Sequence, residues 1–393
     1  MGVQSLGKAV NLLGASIMIW QFVKRELKAL FKDPGFLLLV FGGPLFYSIF
    51  YPLPYTYDVA RHIPVAVLDE DKSFYSRKLV QILGAEEELL PLAYEAVPNV
   101  KQALEKREIF GVVIIPRDFG KNIMKGITQR VPIYTDGSYP IYYKQTTAAL
   151  QRAIKTMSAG VEIQKLRAYG AGKSAPLLRS PIRLNIKNLY SPSGAYRGYL
   201  VPAVFVTVTY QIILMVIGLR AGTLREWKKQ YPAQFTPFLV WIGKMISFLM
   251  FMLLYFFYLF VCMFRLYGFS GGTHLGPWLA VYILFSWATV GLGLTLGSLF
   301  KERESSVMFI VVTSLPLVFI SGVIWPVWKM PLLIRVLRLC VPITYGITGV
   351  VRVFVMNGSL ADITPYLVGC LGLAVLFSFT SYYAIKKRFP IQI

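Results

Sequence analysis

From Tyr199 the chain reads Tyr-Leu-Val-Pro-Ala-Val-Phe-Val-Thr-Val-Thr-Tyr-Gln-Ile-Ile-Leu-Met-Val-Ile-Gly-Leu219 and then meets Arg220. A helix that crosses the hydrocarbon of a bilayer needs roughly 20 apolar residues, and this stretch supplies them without one charged side chain. Five more apolar stretches begin near Gly35, Phe235, Pro277, Ser306 and Thr364. Between the first and second lies a polar stretch that holds most of the acidic residues. The expected fold class is therefore an α-helical polytopic membrane protein with six transmembrane helices and an inserted extracytoplasmic α/β domain.

Composition agrees. Of 393 residues, 55% are hydrophobic and only 15% charged, and the mean hydropathy is +0.56, far more apolar than a soluble domain. The net charge of +22 could suggest nucleic acid, but the basic residues form no stripe with interleaved aromatics. They stand beside the apolar stretches, as anchors at a lipid surface do, so membrane lipid is the expected surrounding and nucleic acid is not. Cys262, Cys340 and Cys370 lack any CxxC spacing and read as packing residues. Ala9 to Trp20 is apolar but short, runs into Lys24, Arg25, Lys28 and Lys32, and lacks a small-residue cleavage site. It reads as a retained interfacial helix rather than a signal peptide.

The insert spans about 54–196. Ile63-Pro-Val-Ala-Val-Leu68 and Gly111-Val-Val-Ile-Ile115 are β-branched runs that read as buried strands, with Val131-Pro-Ile-Tyr134 a weaker third. Ser76 to Leu83, Val100 to Glu108 and Thr146 to Tyr169 carry helical spacing, so a small sheet covered by helices is expected.

Lys and Arg in short segments beside the spans mark the cytoplasmic side. They cluster at Lys24 to Lys32, at Arg220 to Lys229, at Lys301 and Arg303, and at Lys386 to Arg388. With six spans all four clusters fall on one face, which makes both termini cytoplasmic and places the insert outside. Arg335 and Arg338 go against this trend, and their amphipathic stretch reads as interfacial.

Gly172-Lys173-Ser174 looks like the end of a phosphate-binding loop, but the pattern needs glycine where Arg167 stands, and a helical pattern precedes it where a strand should. His62 and His274 have no metal-ligand spacing to a second ligand. Asp69-Glu-Asp71 reads as a solvated acidic turn. No catalytic group set and no cofactor or metal site is expected in this chain. The Lys244 side chain, near a cytoplasmic end, is expected to snorkel, and Gly293 and Gly297 to admit a close helix neighbour within the chain.

The segment Arg220-Ala-Gly-Thr-Leu-Arg-Glu-Trp-Lys-Lys-Gln-Tyr-Pro232 is amphipathic, with Leu224 and Trp227 opposite charged residues and Thr223 available as a cap. It suits a short helix along the membrane face, either docked to a soluble partner or resting on headgroups.

Here the chain resembles the ABC-2 type exporter permeases. The Gly222-Thr223-Leu224 segment, with Glu226 and Trp227, is similar to the family's coupling helix (about 220–234). Arg25-Glu26 through Asp33-Pro34 resembles its elbow helix (1–34) and the turn into the first span (35–53). Ser321-Gly322, Pro326 and Met330-Pro331 resemble the fifth span's end and an external re-entrant segment, about 322–345 within the region 197–393. The insert resembles the large external domain of one subgroup. One departure stands out: Arg220 and Ala221 occupy places where members usually carry acids.

The resemblance implies a transport subunit with no ATPase site of its own. ATP and Mg2+ would be held by partner ABC ATPase subunits docked on the coupling helices. A second permease copy, identical or homologous, would complete the path in the inner (plasma) membrane, and an external gate would open near Ser321-Gly322. It further implies a periplasmic adaptor as a partner of the insert and a substrate among amphipathic drugs, lipids, glycans or peptides; spans rich in aromatic residues and poor in charge favour an amphipathic, drug-like or lipid-like cargo, and Tyr210, Gln211 and Ser314, as polar span residues, are the candidate pathway residues. A membrane-anchored receptor or scaffold whose external domain binds a ligand is the alternative.

Overall fold

The computed structural model describes residues 2–55, 60–138, 140–171, 197–221, 235–269, 275–300 and 303–388. Two compact units emerge: Met1–Thr56 with Leu189–Ile393, and Tyr57–Asn188.

The first unit is helical. Helix α1 (Gly2–Leu30) is followed by α2 (Pro34–Phe50), bent by 90° from it. Asp33 makes this corner: its Oδ1 accepts the Gly35 and Phe36 amides at 3.0 and 3.3 Å, and Pro34, at the first helical position, needs no partner for the N–H it lacks. The apolar stretch from Tyr199 lies in α7 (Arg197–Ala221). Its Val, Ile and Thr residues would favour a strand in water. In lipid each backbone group needs an internal partner, and a helix supplies that alone. Thr207 and Thr209 donate to the carbonyls of Ala203 and Phe205, one turn back, so their hydroxyls are satisfied within the helix as well.

Helices α8 (Pro237–Leu266), α9 (Leu275–Gly297) and α13 (Leu360–Arg388) follow the same rule. With α7 they make four helices long and apolar enough to cross a membrane. α10 (Arg303–Ile320) has 18 residues, which at 1.5 Å each rise about 27 Å, just under the roughly 30 Å hydrocarbon thickness. After it come α11 (Leu332–Leu337) and α12 (Pro342–Val350). The stretches Leu332–Cys340 and Pro342–Val355 make a second bent pair at 89°, so the count is six if each bent pair is one span.

α7 lies at the centre, packed on α9, α10 and α12. Gly293 of α9 permits the approach: a Cβ there would stand 2.7 Å from Ile217 and 3.1 Å from Leu214 of α7. The close neighbour is thus within the chain. Trp278, Tyr282, Phe260 and Phe354 form an aromatic core, and two buried tyrosine hydroxyls reach main-chain oxygens, Tyr255 that of Val40 and Tyr282 that of Met252. Exposed apolar side chains such as Leu38, Met308 and Phe379 lie on α2, α10 and α13, as lipid-facing surfaces require. Of the cysteines only Cys370 is in the core. Cys262 and Cys340 are exposed, a correction to their reading as packing residues.

The second unit is a four-stranded sheet in the order β2-β1-β3-β4, with β1 (Ile63–Asp69), β2 (Leu89–Tyr94), β3 (Gly111–Ile115) and β4 (Ile133–Thr135). β1 runs parallel to β2 and β3, and β4 is antiparallel to β3. Val65, Val67 and Val113 face α3 (Phe74–Gly84) and α6 (Pro140–Leu166), while Ala66 and Val112 face α4 (Val97–Glu105). The short α5 (Phe119–Met124) follows β3. Strand β2 has no counterpart in the sequence reading, because Pro91 interrupts its pattern; a proline is tolerated here because β2 is an edge strand. Arg152 of α6 forks onto Glu86 and Glu88 at 2.7 and 2.8 Å. Burial alone would lower the guanidinium pKa, but the Glu86 hydrogen bond and the two carboxylate charges outweigh it and raise it.

Candidate functional site

Of the residues singled out by sequence, Gly222, Thr223, Leu224, Glu226 and Trp227 lie outside the described residues, as do Gly172-Lys173-Ser174 and His274. Both stems of the 222–234 segment are described, and both end on α1.

Glu26 of α1 is fully buried. Its Oε1 accepts a hydrogen bond from Lys244 Nζ of α8 at 2.9 Å, and Arg220 Nε at the end of α7 lies 3.5 Å from the same oxygen. Lys244 is 3% exposed, so it does not snorkel to water; a carboxylate on a neighbouring helix meets it instead. A buried charge is tolerable when paired in this way. Arg220, in the place where an acid was expected, thereby faces the elbow helix. The packing beside it is equally close. Phe22, one turn before Glu26, rests on Gly243, the residue before Lys244, and its ring meets Phe235 edge-on at 5.5 Å. The Arg25 guanidinium lies 5.9 Å from the centre of the Phe235 ring. Arg220 precedes the 222–234 segment and Phe235 follows it, so α1 grips both its ends.

The helix ends that adjoin the basic clusters come together here. Phe22, Val240 and Ile385 share one apolar cluster, and Trp241 donates to Ser381 of α13 at 2.9 Å. At the start of α10, Ser306 touches Gly218 of α7. The ends of α1, α7, α8, α10 and α13 that carry Lys and Arg thus share one end of the unit.

Beyond α10, Ser321 is 1% exposed and its Oγ donates to Val318 O at 2.6 Å. Gly322 has φ +97°. Arg338 donates to Ser321 O at 3.1 Å, so one of the two arginines that ran against the charge trend is turned into the fold. Pro326 and Pro331 stand at the N-terminal boundaries of a 3-10 turn and of α11, and Met330 is buried. Tyr210 is buried, its ring 6.4 Å from that of Phe285. Gln211 is half-buried, and the Ser314 side chain lies outside the described residues.

In the second unit the acidic turn is structural. Asp69 Oδ1 accepts the amides of Asp71 and Lys72, and Asp71 Oδ2 accepts that of Gly120. No group of three or more His, Cys, Asp or Glu suited to a metal occurs among the described residues. The site sequence reasoning missed is the Glu26–Lys244 pair. Its only signal was a carboxylate in a basic helix and a lone lysine inside an apolar stretch.

A helix pair bent through a right angle and a bundle of long apolar helices define a multi-pass helical membrane protein. The family comparison agrees, since the model for the ABC-2 family transporter protein matches residues 34–383, and the chain belongs to that family. It is similar to the probable multidrug ABC transporter permease YbhR of Escherichia coli K12, 21% identical with 87% of this chain and 91% of the relative covered. The probable multidrug ABC transporter permease YbhS of the same strain is 21% identical, with 95% and 98% covered. The linearmycin resistance permease protein LnrN of Bacillus subtilis 168 is 19% identical, with 92% and 96% covered. The chain is a multi-pass permease subunit of an ABC exporter and works with separate ATPase subunits.

Proposed function

We propose that this permease exports an amphipathic, drug-like or lipid-like cargo from the cytoplasm or inner leaflet, driven by ATPases docked on residues 222–234. The observation that carries the reading is the grip of α1 on both stems of that segment, because a docking segment transmits force only if its ends are fixed. Six spans, formed by α2, α7, α8, α9, α10 and α13, would place both termini and the basic end in the cytoplasm and the second unit outside the inner membrane. Convergence of the helix ends that adjoin the basic clusters supports this orientation. Two permease copies, identical or homologous, would enclose the path, with ATP and Mg2+ held on the ATPases. A gate at Ser321-Gly322 and a periplasmic adaptor on the second unit complete the proposal. The names of YbhR, YbhS and LnrN support a drug-like cargo.

The test is reconstitution with the cognate ATPase in liposomes. The wild-type chain should bind it and stimulate ATP hydrolysis, and Thr223→Arg should abolish both. A Thr223→Arg chain that stimulates normally would favour the receptor reading, in which the spans only anchor the external unit.

A further inference from the structure

Glu26, Arg220 and Lys244 belong to three helices, and the two cations stand on opposite stems of residues 222–234. Separating buried charges is costly, because each is left uncompensated in a medium of low dielectric. The contacts therefore oppose sliding of α7 and α8 past α1. Phe22 wedged on Gly243 opposes rotation about the same point. α1 in turn leads through the Asp33-capped corner into α2, so movement of α1 is passed to α2.

We infer that Glu26 is a positioning residue for energy coupling: its carboxylate locks both stems of the 222–234 segment to the elbow helix, so that displacement of the segment moves α2. This rests on the reading that the segment is where the ATPase docks. A simple brace would hold the fold together and do nothing more. A coupling joint additionally sets how much turnover a docked ATPase gains.

The two are separated with the full-length chain in liposomes with its cognate ATPase, comparing wild type, Glu26→Gln, Glu26→Asp and the double variant E26Q/K244M. The double variant removes the closest pair together and leaves one cation, Arg220, which is 11% exposed, without the Glu26 carboxylate. It should keep its melting temperature within a few degrees and bind the ATPase with unchanged affinity. Stimulated turnover at saturating ATP should drop about tenfold, with KM for ATP unchanged. Glu26→Asp, which keeps the charge, should recover part of the loss. Wild-type turnover in the double variant overturns the inference, and so does a turnover loss that merely follows lost ATPase affinity. If the wild-type chain neither binds nor stimulates the ATPase, the docking reading has failed and the inference falls with it.

Discussion

The Glu26 carboxylate and the Lys244 ammonium meet at 2.9 Å across 218 positions of sequence, both buried. Removing one partner of such a pair typically costs about 3–5 kcal/mol, whereas replacing both with neutral side chains is often tolerated. Glu26→Gln alone takes the carboxylate from both Lys244 and Arg220 and should therefore melt well below wild type in detergent, and adding Lys244→Met should restore most of the loss. Lys244→Met alone should be the milder change, because Arg220, 3.5 Å from the same oxygen, still meets the carboxylate.

Gly243 has no room for a side chain, since a Cβ would run into the Phe22 ring. Overpacking of this kind costs about 1–3 kcal/mol. Gly243→Val should lower the melting temperature and free α1 to be cut by protease near Lys24. Phe22→Ala in the same chain should relieve the clash and recover part of the protection.

Gly322 is constrained twice. Its φ of +97° is strained for any residue with a Cβ, and that Cβ would sit 2.8 Å from Val327 Cγ2. Such strained backbone costs about 1–3 kcal/mol. Gly322→Ala should disturb the turn that Arg338 fastens at Ser321 and reduce transport, measured as ATP-driven movement of a fluorescent amphipathic dye. Val327→Ala should give only partial rescue, because it removes the clash and leaves the φ penalty.

In the second unit, burial and charge differ in weight. Val113 of the central strand β3 is fully buried, and Val113→Ala should cost about 2 kcal/mol through lost burial and an unfilled cavity. Arg152 holds two carboxylates but is 48% exposed, and Arg152→Ala should cost at most about 1 kcal/mol. Limited proteolysis of the full chain should show fast cleavage within 60–138 for the first variant and near wild-type rates for the second.

The membrane helices were legible because lipid forces a uniform solution: length and apolarity suffice where every backbone bond must be internal. The strands of the insert were legible where β-branched runs were unbroken, as in Gly111–Ile115, and not where Pro91 divides an edge strand. The elbow's corner could be read from Asp33-Pro34, since a cap acts locally. The Glu26–Lys244 joint could not. Its partners are remote in sequence, and a lysine near a helix end reads as solvated until the facing helix is known. Arg338 was illegible for the same reason, because its partner is a main-chain oxygen on another element.

Cysteine labelling tests the proposed topology, in which residues 222–234 are cytoplasmic and dock the ATPase and residues 54–196 are extracytoplasmic. In a chain with Cys262, Cys340 and Cys370 replaced, Thr223→Cys and, separately, the exposed Lys101→Cys are treated with a membrane-impermeant maleimide in sealed vesicles. The account predicts that position 223 reacts only from the side where ATP is supplied and is shielded by bound ATPase, while position 101 reacts only from the other. Reaction of both positions from one side, or a position 223 that the ATPase does not shield, would contradict it.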